Sequence, residues 1–541
     1  MSFFQRREWT WLILALVLLL AGGIRFRLLE TPLERDEGEY AYAGQLILQG
    51  IPPYELAYNM KLPGTYAAYA AILWLFDESA EGIHLGLLML NAATILLVYF
   101  LGRRLFDNTV GLFAAASFAL LSVSPATLGS AAHANHFVIF FALCGLLLLF
   151  RALDTRKKRL HFATGLLMGL AFLLKQQGLF FGLFVGALLL LRALRAAPVD
   201  RRLRWAAVMY YSAGAVLPFL VTCGLLWAAG VFDRFWFWTF TYASKYATSV
   251  PLEFGVKQFE QFLQRLPTTA ALWVMGLAGL AVLWLDESTR GKRAFTAGFV
   301  LFSFLATAVG LYFRPHYFLL LLPAWTVLIG LTLRYATRCL TRSGIPRPVQ
   351  FLPTALFAGA CAYGLFDDRH IYFQLPPPAV NRALYGPNPF VESVPMSRYI
   401  RENSKPGARV AVFGSEPQIY FYSGRHSATG YIYTYPLMEV HPFAKEMQQE
   451  MIREIENNDP EFIVVVKFPF SWAARPESTW DIFNWCATFR KDRDGLVGVM
   501  NVLASGETAT FWGEEARQYA PQSDYNLFLL QRKDTLVAAD G

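Results

Sequence analysis

Eleven apolar runs, near residues 9–29, 82–101, 108–127, 136–151, 161–176, 178–194, 205–229, 268–285, 294–313, 316–334 and 350–366, constrain this chain more than any other feature. A helix that crosses a bilayer needs roughly 20 predominantly apolar residues. A chain with this many such runs has no water-soluble core large enough to hide them. Composition agrees: 55% of the 541 residues are apolar and only 16% are charged, against about 25% charged in soluble domains. The expected fold class is therefore a polytopic α-helical membrane protein of about eleven spans.

The net charge of +8 raises the question of nucleic acid, but the basic residues cluster between apolar runs. RREW, GRRLFDN, RALDTRKKRLH, RALRAAPVDRRLRW, DESTRGKR and RYATRCLTRSGIPR alternate with connections that are acidic, long or very short. A positive-inside topology explains this pattern without a nucleic-acid partner. It predicts a multi-pass inner (plasma) membrane protein with a cytoplasmic N-terminus and an exterior C-terminus. Arg6 and Arg7 before the first run, Arg25 and Arg27 after it, and the lack of a small-residue cleavage site predict an uncleaved first span. The five scattered cysteines form no CxxC or paired framework, so neither disulfides nor a structural zinc site is expected.

After residue 366 the character changes. A Pro- and Asn-rich connector leads to short β-like runs, RVAVFG (409–414) and FIVVVKF (462–468), and to helix-like SRYIRENSKPG and HPFAKEMQQEMIREIENNDP. The division expected is a multi-span membrane-embedded domain over 1–366 and a small exterior (periplasmic) α/β domain over 367–541. No P-loop occurs anywhere, so neither ATP-driven transport nor a nucleotide cofactor is expected.

The first exterior loop is the most informative segment. ERDEGEYAY (34–42) places four carboxylates beside a span, and AYAGQLIL and YAAYAAILWLF follow as candidate interfacial helices. Glu34, Glu37 and Glu39 read first as a solvated cap. Asp36, just ahead of the helix start, reads as a fixed carboxylate able to cap amides, to take a proton or to bind a cation. Lys61 in MKLPG is its natural counterpart and suits a phosphate. In SAAHANHF (130–137), His133 and His136 have the spacing of a shared helical face, yet no third metal ligand is evident, so polar contact with a substrate through Asn135 and His136 is the stronger reading. Lys175 in LLKQQG and Arg314, His316 and Tyr317 in RPHYF lie at exterior helix ends as candidate substrate contacts, and Lys175 and Arg314 together with Lys61 would supply positive charge for an anionic lipid headgroup. VFDRFWFWTFTYASKYA (231–247) is an interfacial aromatic belt.

RDEGEYAY, KLPGTYAAYA, AHANHFVIFF, GLLMGLAFLLKQQGL, FWFWTFTYASKY and HYFLLLLPAWTVLIG, in that order, resemble bacterial members of glycosyltransferase family 39. These are GT-C-fold relatives of the protein O-mannosyltransferases and of the lipid A aminoarabinose transferase. The resemblance covers about residues 9–335, and YIRENSKPGARVAVFG extends it into the C-terminal part. It implies a GT-C-like fold and inverting transfer of a sugar from a polyprenyl-phosphate donor to an exterior acceptor: a lipid, a polysaccharide or a protein hydroxyl. It assigns Asp36 as base or acceptor-orienting group with Glu37 in the adjacent acidic position, and Lys61 to the lipid phosphate. Asn135 stands where relatives commonly carry an acid, which leaves the use of a divalent metal open.

The partners expected are membrane lipids, the polyprenyl-phosphate sugar and the acceptor. Two other classes compete: a transporter or flippase of a lipid-linked sugar, and a non-catalytic assembly subunit. The chain has no internal repeat of the kind transporters often carry, and the long loop with its own helices favours an enzyme.

Overall fold

The computed structural model describes residues 7–248, 250–343, 345–491 and 493–537; Arg6 lies outside them. Each of the eleven apolar runs is a helix: α1 (Arg7–Arg27), then after the first loop Ala80–Leu105, Asn108–Leu121, Ala134–Thr155, Lys158–Leu174, Leu179–Leu194, Pro198–Ala228, Ala270–Leu285, Arg293–Ala308, Leu322–Arg342 and Leu352–Asp367. Seven helices, counting short flanking turns, are long and apolar enough to cross a membrane. The remaining four runs give helices that are shorter or carry more polar residues. Leu19, Met209, Leu225, Trp227 and Leu285 are mostly exposed. Large apolar side chains left on an outer surface are what a lipid-facing bundle presents.

Polar residues mark the helix ends. Asp107 caps Asn108–Leu121 by accepting from the Val110 amide at 3.1 Å, and Ser79 caps Ala80–Leu105 through the Gly82 amide at 3.0 Å. Arg103 and Arg104 occupy the last turn of the latter helix, where cations offset the partial negative charge of the free carbonyls.

The first loop carries both expected helices, α2 (Arg35–Leu48) and α3 (Gly64–Leu75). α2 does not lie open at a surface: Tyr40, Tyr42 and Leu46 are each at most 2% exposed. It is held between α3, where Tyr40 packs on Tyr66 and Tyr69, and the C-terminal part, which covers Tyr42. That part is a mixed six-stranded sheet in the order β2-β1-β3-β6-β4-β5. The two β-like runs form β1 (Arg409–Phe413) and β3 (Phe462–Lys467), which pair in parallel. β2 (His426–Ser427) adds in parallel to β1, whereas β4 (Asp494–Val502), β5 (Thr508–Trp512) and β6 (Asn526–Arg532) complete an antiparallel half.

The short helix Gln418–Ser423 packs on α2 so closely that a Cβ on Gly38 would stand 2.6 Å from that of Gln418. Beside it Arg35 donates to Glu416 at 2.8 Å and to the Tyr435 hydroxyl at 2.9 Å. One hydrophobic cluster consequently runs from the bundle through Tyr42 into Val410, Val464 and Leu527.

Candidate active site

Where the first loop, the helix ends and the C-terminal part meet, they enclose a cavity of about 460 Å³. Its first wall comes from the start of α2. The backbone entering this helix needs a cap, and a carboxylate three residues before a Glu meets that need reciprocally. Glu34 accepts from the Glu37 amide at 3.0 Å, and Glu37 accepts from the Glu34 amide at 3.2 Å. The cap is therefore Glu34, not Asp36 as the sequence suggests. Asp36 sits inside the first turn, free of the capping duty, and its side chain faces the cavity.

Asp36 accepts from Lys61 at 2.7 Å and from the Tyr433 hydroxyl at 2.8 Å, both at Oδ1. Burial would raise the Asp36 carboxyl, but the Lys61 ammonium overrides it and holds it well below the ordinary carboxylate range. Lys61 is shared: it also donates to Glu39 at 2.6 Å, and its ammonium lies 4.6 Å from the Tyr40 ring centre. Glu39 is fully buried and accepts from Tyr66 at 2.6 Å and from Asn59 at 2.8 Å. Glu34, Glu37 and Glu39 are all under 8% exposed, which overturns the solvated-cap reading of these three. A solvated cap needs open water, and here Tyr66 and Asn59 enclose Glu39, His84 and the Ala132 amide enclose Glu37, and His133 lies 3.6 Å from Glu34.

Glu37 turns away from the cavity. It accepts from the Ala132 amide at 2.6 Å and lies 3.0 Å from His84 Nε2. His136 also faces elsewhere, with Nε2 3.1 Å from the Gly129 carbonyl. Asn135 is buried behind the wall, where its Oδ1 accepts from Lys175 at 2.8 Å. Lys175 does reach the cavity, 4.4 Å from the Tyr317 ring centre. Burial pushes its ammonium down to about 7, against a partial counter-effect from Asp36.

Arg314, His316 and Tyr317 line the cavity as well. Among the described residues Arg314 makes no ion pair with a carboxylate. It neighbours tyrosines instead, 5.8 Å from the Tyr312 ring centre and hydrogen-bonded to Tyr246. The structure thus gathers Asp36, Lys61, Lys175, Arg314, His316 and Tyr317 around one space. Asn135 stands just outside it, and Glu37 and His136 belong to the scaffold.

Sequence reasoning missed two contributors. Tyr433 reaches Asp36 from 397 residues away, a distance no local pattern spans. His133 stacks on His316 with ring centres 4.1 Å apart and planes inclined by 18°. Asp36, His133 and His316 offer ligand atoms all within 4.8 Å of one another. Both His133 ring nitrogens are buried without a hydrogen-bond partner, and burial pushes this imidazole down to about 4. Neutral, unpartnered imidazoles beside an ionised carboxylate are a donor set that fits a divalent cation. The HxxH spacing pointed to the wrong second histidine.

Comparison with known proteins bears out the resemblance read from the sequence. Residues 61–227 match the family model described as dolichyl-phosphate-mannose-protein mannosyltransferase. A relative from Pseudomonas aeruginosa (strain LESB58), named undecaprenyl phosphate-alpha-4-amino-4-deoxy-L-arabinose arabinosyl transferase, is 32% identical over 225 residues, 38% of either chain. Its counterpart from strain UCBPP-PA14 is 31% identical over 256 residues, 43% of either chain. The chain thus matches about two fifths of the length of these curated relatives. Among solved structures, ArnT from Cupriavidus metallidurans bound to undecaprenyl phosphate superposes with a TM-score of 0.60 at 15% identity, covering 97% of this chain and 98% of that one. An Archaeoglobus fulgidus oligosaccharyltransferase tethered with an acceptor peptide gives 0.53 at 13% identity, covering 95% and 75%. The fold is the GT-C type that these structures share, and the chain is a multi-pass membrane protein of that type.

Proposed function

We infer that this protein is a glycosyltransferase that moves a sugar from a polyprenyl-phosphate carrier to an acceptor outside the cytoplasm, with inversion at the anomeric carbon. The observation that carries this reading is that one ionised carboxylate, Asp36, lines a single cavity together with the basic groups Lys61, its 2.7 Å partner, Lys175 and Arg314. Transfer from a phosphate-linked sugar needs both: a group for the acceptor's proton, and positive charge where the phosphate leaves. The curated relatives are named for an undecaprenyl-phosphate sugar, and one fold neighbour holds undecaprenyl phosphate. Both support the donor class.

In this reading the acceptor hydroxyl hydrogen-bonds to Asp36, its oxygen attacks the anomeric carbon, and the bond from that carbon to the phosphate oxygen breaks. Asp36 takes the hydroxyl proton as the new bond forms. Because Lys61 stabilises the anion, Asp36 orients the acceptor first and becomes the base only as the attacking oxygen turns acidic. The phosphate diester leaves as a monoester dianion, and Arg314, which makes no ion pair with a carboxylate among the described residues, stabilises the added charge together with Lys61 and Lys175. Glu37 acts through the scaffold and not on substrate.

A divalent metal is a second element of the proposal, favoured by the unpartnered His133 nitrogens. Asp36, His133 and His316 would hold it, and when bound it would supply electrophilic stabilisation near the phosphate. The basic connections support an N-terminus in the cytoplasm and, with it, a cavity and C-terminal part that face the exterior space.

Purified protein incubated with a polyprenyl-phosphate sugar and candidate acceptors is expected to release polyprenyl phosphate and form a glycosylated product detectable by mass spectrometry. Movement of intact lipid-linked sugar across vesicles, with no new glycosidic bond, would sink the enzyme reading in favour of a flippase. Chelator treatment followed by add-back of zinc or manganese tests the metal: activity indifferent to both removes it.

A further inference from the structure

The helices Ala134–Thr155, Lys158–Leu174, Leu179–Leu194 and Pro198–Ala228 pack side by side, and two of them reach the cavity just described with one end. At their opposite ends they enclose a second, smaller cavity of about 100 Å³. The helix Lys158–Leu174 has 17 residues and so rises about 25 Å. This is near the roughly 30 Å thickness of a bilayer's hydrocarbon core, so the two cavities open at opposite faces of the membrane.

The small cavity is lined by Arg156, Lys158, His161, Arg192, Arg204 and a single acid, Asp200. Asp200 is shared, 3.6 Å from Arg156 and 3.8 Å from Arg204. Among the described residues Lys158 and Arg192 have no ion-pair partner. His161 is only 4% exposed, and its Nδ1 and the Arg204 Nε are buried without a hydrogen-bond partner. Cations crowded around one carboxylate repel one another, and unpartnered buried donors cost stability until an acceptor meets them.

An anion supplies both needs. The remaining lining is apolar, with Leu153, Leu189, Leu203 and Ala207, and Leu190, Leu191 and Leu194 beside it are 39–57% exposed. A soluble anion has no use for that surface, whereas an acyl chain does. We propose that this cavity binds the phosphate headgroup of an anionic glycerophospholipid from the leaflet opposite the active site, with the lipid's chains lying along the exposed leucines.

The test is native mass spectrometry of the full chain in neutral-lipid nanodiscs titrated with phosphatidylglycerol, with phosphatidylcholine and inorganic phosphate as separate arms. A basic residue near an anionic lipid surface contributes about fivefold in affinity. The variant R192A/R204A should therefore lose about 25-fold of the preference for phosphatidylglycerol over phosphatidylcholine. Asp200→Asn removes the competing carboxylate and should tighten phosphatidylglycerol binding about fivefold, a gain that a misfolded variant cannot imitate. Lipid bound in the active-site cavity is common to all three proteins and cancels in these differences. The proposal is overturned if the two lipids bind alike, if neither variant shifts the preference, or if inorganic phosphate displaces phosphatidylglycerol in full. The last outcome would make the site one for a free anion.

Discussion

Asp36 and Glu37 are neighbours in sequence, yet they belong to two regions built on opposite electrostatic terms. The scaffold behind the cavity, with Glu37 and His84, is saturated, each charge meeting a partner within about hydrogen-bond distance, and so are Glu34 and the Arg35–Glu416 pair where the start of α2 borders the cavity. Elsewhere the cavity wall is under-satisfied. Arg314 makes no ion pair with a carboxylate among the described residues, the His133 nitrogens have no hydrogen-bond partner, Nδ1 coming only to 3.6 Å from Glu34, and burial leaves Lys175 with a weakened hold on its proton. Saturated buried charge holds a structure together, because removing one partner strands the other. Under-satisfied buried charge is unstable by itself and is made good by a ligand. One turn of helix, by alternating which way it points, supplies both.

Four measurements would break or sharpen that contrast. Asp36→Asn should lower transfer by about 10²–10⁴-fold, the usual contribution of a well-placed proton acceptor, with the melting temperature close to that of the wild type. Full activity in this variant would remove Asp36 from the wall's chemistry. Glu37→Gln should do the reverse: breaking the contact to His84 and Ala132 should cost about 3–5 kcal/mol of stability, while transfer per folded molecule persists. If it melted like the wild type and failed to transfer, the division between wall and scaffold would be misplaced.

Arg314→Ala should lower the transfer rate by about 10²–10³-fold, in line with losing one preorganised donor at a developing anion; the comparison to make is kcat against KM, since a change confined to KM would reduce Arg314 to simple binding. The smallest effect concerns pH. With the Lys175 ammonium lowered to about 7, the lysine is charged below that pH and neutral above it. Polyprenyl-phosphate affinity should accordingly weaken as pH rises from 6 to 8, by up to about fivefold for one cation. Lys175→Met should flatten the profile at the weaker level; a slope that survives in this variant assigns the titration to another group.

Much of this was legible in the sequence, for reasons that can be named. Apolar runs of bilayer length have one stable outcome, and all eleven are helices. The pairing of Asp36 with Lys61 was also readable, since two opposite charges in apolar surroundings within one loop have little choice but each other. What failed was the burial of Glu34 and Glu39, because nothing local announces that His133 will converge on the first and that Asn59 and Tyr66 will fold back onto the second. The same blindness paired His133 with His136 instead of His316: HxxH fixes a spacing along one helix, while the stack of His133 on His316 depends on how separate helix ends converge. The choice of Asp36 as the cap failed more instructively. A Glu three residues after Glu34 is itself the capping signal, and it was present in ERDEG.

Tyr433 gives the wall one further property, which concerns time. Ribosomes release a chain from its N-terminus, and domains fold broadly in that order. Asp36, Lys61, Lys175 and Arg314 are all synthesised before the sheet that carries Tyr433 to its place beside Asp36. A nascent chain thus displays its reactive carboxylate and cations in an open, wet groove, where water weakens every electrostatic contact. The C-terminal part, made later, brings Tyr433 to Asp36 and lays Tyr435 and Glu439 along the cavity, so the site gains its last wall only after its charges are in place.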